Sequence, residues 1–184
     1  LAYCCGGLNG GQTDTGLTIV DVTNKSNPVV LSQVSYPARA YSHQGWLSND
    51  RTRFYLGDEL DEGSTVSTTT TRVFDVSDPA NATYIGAFDN GNAAIGHNMY
   101  ERDGILFQAN YTSAIRAFDL NQSLNSPPEV GFFDTAPSFA LKMSHTRHVS
   151  ITHADAHARA NTQHANAIRK VQRGGTGHRV SLGS

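Results

Sequence analysis

Charge is scarce in this chain: only 16% of its residues are Asp, Glu, Lys or Arg. It has two cysteines and one tryptophan, and no apolar run is long enough to span a bilayer. Several catalytic signatures are missing too. No nucleophile elbow presents a serine. No His-Glu-x-x-His stretch offers a zinc-protease helix. Gly6-Gly7-Leu8-Asn9-Gly10-Gly11 lacks the Lys-Ser/Thr ending of a phosphate loop and reads as an ordinary loop. No signal peptide is visible. Cys4 and Cys5 are adjacent, a spacing too strained for a mutual disulfide. They read as a buried small residue and a bystander, or as one half of a bridge to an upstream segment.

What is present is glycine, 17 copies of it, and a repeated pattern of short β-branched and aromatic runs. Thr71-Arg72-Val73-Phe74-Asp75-Val76 recurs upstream as Leu17-Thr18-Ile19-Val20-Asp21-Val22 and downstream as Ala114-Ile115-Arg116-Ala117-Phe118-Asp119-Leu120. Polar turn residues and then a second apolar run follow each copy. The flanks repeat as well. Ser42-His43-Gln44-Gly45-Trp46-Leu47 matches Gly96-His97-Asn98-Met99-Tyr100, and Arg53 to Glu59 matches Ile105 to Tyr111. The three aspartates are spaced by 54 and then 44 residues, the difference being a longer polar connection over Leu60 to Thr70. A period of this size built from short strands predicts an all-β array of four-stranded antiparallel propeller blades. Two full units, 37–89 and 90–134, follow a partial first one. Propellers usually close with about 4–8 blades, so the expectation is an incomplete propeller and a fragment of a longer polypeptide.

The charge is divided unevenly. Residues 1–138 carry 7 Lys/Arg against 15 Asp/Glu, and residues 139–184 carry 7 against Asp155 alone. This predicts two segments: a repeat body, 1–138, and a basic tail, 139–184, with six of the eight histidines. An acidic body argues against nucleic acid as a partner. The tail is expected to be irregular or weakly helical over Asp155 to Val171 and to complete no blade.

Two groups of residues suggest chemistry. His43 and His97 occupy equivalent positions at the start of the first strand of successive units. That strand lines the channel of a propeller, so the two imidazoles would converge near its axis and suit a divalent transition metal. The alternative is that each caps its strand and bonds a backbone or carboxylate neighbour. Asp58, Glu59, Asp61 and Glu62 are the densest acidic group. They read as a solvated loop end; an oxygen-rich calcium site is the alternative, without the EF-hand spacing. Paired carboxylates also serve glycoside hydrolysis. Asp21, Asp75 and Asp119 are expected to accept backbone N–H groups in the turns that follow them. Trp46 is expected in the core. In the tail, His145, His148, His153 and His157 suit adventitious metal binding.

His43-Gln44-Gly45-Trp46-Leu47, Gly57-Asp58-Glu59-Leu60-Asp61-Glu62, Leu17-Thr18-Ile19-Val20-Asp21-Val22 and Gln108-Ala109-Asn110-Tyr111-Thr112 resemble the LVIVD-repeat proteins of the choice-of-anchor B type. The resemblance covers residues 1 to about 138. It implies a secreted or surface-anchored β-propeller without an assigned catalytic activity. Loops on a rigid radial scaffold carry binding, so the first functional expectation is protein or glycan contact at the blade loops. The second functional expectation is a metal-dependent enzyme with histidines on the propeller axis. Where the family continues with another apolar blade, this chain turns after Phe133-Asp134-Thr135-Ala136-Pro137 into the basic tail, as a truncated or frame-shifted gene would.

Overall fold

The computed structural model describes residues 1–6 and 16–135. The chain divides into two compact units, Leu1–Ala140 and Leu141–Ser184. The second unit, with the expected helix and the tail histidines, lies outside the described residues, as does most of the Gly6–Gly11 loop.

Eleven strands fill the described part: β1 (Ala2–Cys5), β2 (Leu17–Asp21), β3 (Val29–Val34), β4 (Ser42–Leu47), β5 (Arg53–Asp58), β6 (Thr70–Asp75), β7 (Thr83–Asp89), β8 (Met99–Arg102), β9 (Ile105–Asn110), β10 (Ala114–Asp119) and β11 (Glu129–Phe133). They form a three-stranded antiparallel sheet, β1-β2-β3, and two four-stranded ones, β4-β5-β6-β7 and β8-β9-β10-β11. These are propeller-like blades in the order the repeat requires. Their registers coincide: Asp75 lies opposite Arg53, and Asp119 opposite Ile105. The last strand pair of each blade carries a register shift, at Ile19/Val20, Val73/Phe74 and Ala117/Phe118. The irregularity is thus part of the repeat.

Local chemistry sets the turns. The Asp-ending strands stop because the aspartate caps the next turn. Asp21 accepts from Thr23 N–H, Asp75 from Ser77 N–H and Asp119 from Asn121 N–H, at 2.8–3.0 Å. Side-chain hydrogen bonds from Thr23, Ser77 and Gln122 first, and these backbone bonds after them, hold the three carboxyls below their usual range. The β8–β9 hairpin turns on Asp103 and Gly104, with φ of 54° and 79°. Two consecutive positive φ values define the tight turn that matches strand twist, and Asp-Gly supplies them.

Two apolar layers join the blades. Leu17, Ile19 and Tyr36 pack against Phe54, Leu56, Phe74 and Val76 between the first and second. Tyr55, Val73 and Phe88 pack against Met99, Leu106, Phe118 and Leu120 between the second and third. Strand alternation explains the division: Phe54 and Leu56 face one neighbour, Tyr55 the other. Trp46 is a correction. It is 40% exposed, with its ring against Tyr100 at 4.8 Å between centroids. It sits on β4, a terminal strand of its sheet. Neither cysteine is fully buried: Cys4 is exposed and Cys5 half-buried, and both are free. Burial pushes the Cys5 thiol up to about 12.

Candidate functional site

The terminal strands β4 and β8 lie side by side, and the first functional consequence is at the seam between them. The Gln44 side chain acts there as a strand partner. Its Nε2 donates to Met99 O at 2.9 Å, and its Oε1 accepts from Met99 N–H at 2.7 Å. Farther out, Tyr55 Oη donates to Leu124 O at 3.1 Å, and Gln108 Nε2 donates to Thr71 Oγ1. The second and third blades are therefore stitched at several levels, and side chains near the seam have fixed partners across it.

At one end of this seam stand His43 and His97. His43 lies within β4. His97 precedes β8 but joins the sheet, donating its N–H to Ala109 O at 2.9 Å. Their ring centroids are 4.6 Å apart, inclined by 31°. Tyr41 stacks on His43, and Tyr111 meets His97 edge-on. Glu59 reaches both histidines: Oε2 is 3.2 Å from His43 Nδ1, and Oε1 is 3.6 Å from His97 Nε2. Tyr111 Oη donates to Glu59 Oε1 at 2.6 Å. All three metal-capable side chains are partly exposed, 21% for His43, 24% for His97 and 16% for Glu59, so a ligand has access.

The four acidic residues do not act as one group. Asp58 is 1% exposed and Asp61 0%, so the expected solvated loop end is corrected. Asp58 is a structural anchor. Its carboxylate accepts from Ala40 N–H at 2.7 Å, Tyr41 N–H at 2.6 Å and Tyr36 Oη at 2.7 Å. That folds the 36–41 segment over the end of β5 and sets Tyr41 beside His43. Asp61 pairs with the buried Arg72 at 2.5 Å. Arg72 also donates to Thr70 O and lies over the Tyr36 ring. Glu62 accepts from Gly96 N–H at 2.8 Å, tying the 60–69 connection to the residue before His97. Burial first, then the Asp61 charge, push the Glu62 carboxyl up to about 7. Of the four, Glu59 alone turns into the histidine cleft, because strand β5 ends at Asp58 and the chain bends there.

Tyr111 was not among the residues the sequence suggested. The signal that finds it is the repeat itself, since Tyr111 stands in the third blade where Glu59 stands in the second. It opens a short 3-10 turn, Tyr111–Ser113, with φ of 20°, and Ala114 follows at φ 64°. Positive φ at two non-glycine residues is a local strain that surrounding contacts must hold in place. Burial, and then its hydrogen bond to Glu59, raise the Tyr111 phenol well above its usual value, so it stays a proton donor.

Among known families, residues 11–35 match the LVIVD repeat. The match spans β2 and β3, the strands whose pattern recurs in β6–β7 and β10–β11. The chain is thus a repeat protein of propeller type. No curated protein matches it. Among the described residues no helix is long and apolar enough to cross a membrane.

Proposed function

We propose that this chain is part of a β-propeller that works as a binding scaffold, secreted or held at the cell surface. The observation that carries the binding role is the seam between the second and third blades. Three metal-capable side chains, His43, Glu59 and His97, converge there from separate segments, with Tyr111 hydrogen-bonded to Glu59. Rigid strands position them, and irregular connections present them. The surface location rests on the resemblance of the repeat units to choice-of-anchor B proteins. The exposed Trp46 ring beside Tyr100, on the same two strands, favours a glycan over a peptide, because the C–H faces of sugars stack on aromatic rings. A metal-dependent enzyme is the second reading, favoured by the shared approach of both histidines to Glu59.

Glycan and peptide arrays probed with the full chain test the scaffold role. Saturable binding to one glycan class, reduced about tenfold or more by Trp46→Ala, is the expected result. No saturable ligand on either array overturns it. A peptide ligand insensitive to Trp46→Ala keeps the scaffold and removes the glycan assignment.

A further inference from the structure

We infer that His43 Nδ1, His97 Nε2 and Glu59 form a binding site for one divalent transition-metal ion at the seam of the second and third blades. This names the ligand of the cleft just described and rests on that reading. The distances come first. Two ligands of one tetrahedral zinc, each about 2.0–2.1 Å from the ion, stand roughly 3.3–3.4 Å apart. The separations of 3.2 Å from His43 Nδ1 to Glu59 Oε2 and 3.6 Å from His97 Nε2 to Glu59 Oε1 bracket that value, one carboxylate oxygen standing beside each imidazole. The ligand atoms of all three residues lie within 4.8 Å of one another.

The donor chemistry selects the metal class. Two imidazole nitrogens and one carboxylate suit zinc, iron(II), cobalt(II) or nickel(II). Calcium and magnesium need a shell of oxygens, and Asp58, Asp61 and Glu62 are turned to other partners. Three protein ligands at a partly exposed seam leave a coordination position open to water or an exogenous ligand, which is the arrangement of reactive rather than closed structural sites.

The surroundings are built to support the ligands. Tyr111 Oη donates to Glu59 Oε1 and fixes the plane of the carboxylate. Such hydrogen bonds to a ligating carboxylate raise metal affinity about 10–100-fold. Tyr111 acts through its hydrogen bond to Glu59 and is a positioning residue. Glu59 is also fixed through its backbone, donating its N–H to Tyr41 O at 2.9 Å. The histidine pair itself comes from the repeat: one position, used in two successive blades, meets across their seam.

Cobalt(II) titration of the chelator-stripped full chain, followed by visible absorption and calorimetry, tests the site, with zinc displacement as the second readout. One ion per site is expected, with a cobalt spectrum showing nitrogen and oxygen ligands. His43→Ala and His97→Ala should each weaken that binding about 100-fold or more, and Tyr111→Phe about tenfold, with the spectrum retained. A variant with His145, His148, His153, His157, His164 and His178 all changed to Ala controls for the tail and should keep the spectrum. His43→Gln and His97→Gln, checked by far-ultraviolet circular dichroism, separate ligand loss from misfolding. Binding unchanged by the His43 and His97 variants, or abolished by the tail variant alone, overturns the inference. Array binding without metal binding refutes the metal site and keeps the scaffold; metal binding on a chain that captures no array ligand does the reverse.

Discussion

Arg72 carries the largest fully buried side chain of the described residues, and its charge is balanced by Asp61 alone. Removing one partner of a buried pair leaves the other uncompensated, so Arg72→Met should cost about 3–5 kcal/mol in urea unfolding. A loss below 1 kcal/mol would mean that the Asp61 carboxyl simply takes up a proton. Glu62 gives a pH prediction with a definite sign. Its carboxyl is raised from 4.5 to about 7 by burial, and a group with a raised folded pKa favours the fold only while protonated. Its contribution is complete below about pH 4.5 and lost as pH rises through about 7. Glu62→Gln mimics the protonated form. Its thermal midpoint should therefore gain on the wild type steadily from pH 5 to pH 8; a gap that stays constant or narrows contradicts the assignment. These roles were not legible in the sequence. Asp58, Glu59, Asp61 and Glu62 look alike as letters, and only the bend after β5 sends each to a different partner. Trp46 misled for a related reason: apolar neighbours in sequence do not reveal that β4 ends a sheet.

Strands were far more legible than sites. Period-2 alternation and the Asp-ending motif place β5–β6–β7 and β9–β10–β11, and the two hairpin turns fall at Asn49–Thr52 and Asp103–Gly104. What alternation does not show is which glycines are fixed by packing. Gly45 on β4 lies against the next strand, where an added Cβ would come within 2.3 Å of the Phe54 ring and 2.4 Å of Tyr55 O. Gly131 on β11 has nothing within 4 Å of that position. Gly45→Ala should therefore lower stability by about 1–3 kcal/mol, and Gly131→Ala should change it by less than about 0.5 kcal/mol. Equal effects of the two substitutions in chemical denaturation would show that β4 does not approach β5 as described.

At the scale of the molecule, the second blade covers the apolar strand of the first. Leu17 and Ile19 are completely buried against the second blade. The exposed apolar surface lies instead on the last strands of the outer sheets, with Val30 at 61% and Phe132 at 67%. Each of these strands has one edge unpaired within its sheet, and such edges promote association. Sedimentation velocity should show association that rises with concentration and falls in a Val30→Lys, Phe132→Lys variant. A wild-type chain that stays monomeric at all concentrations contradicts this. The central claim is that equivalent positions in successive blades meet at the seam, bringing His43 and His97 together. The most direct measurement is a nuclear Overhauser experiment on the chain labelled with carbon-13 at histidine, with the two rings assigned from His43→Ala and His97→Ala. Ring centroids 4.6 Å apart predict a cross-peak between the two imidazoles that disappears in either variant. Two assigned rings with no cross-peak between them would contradict the account.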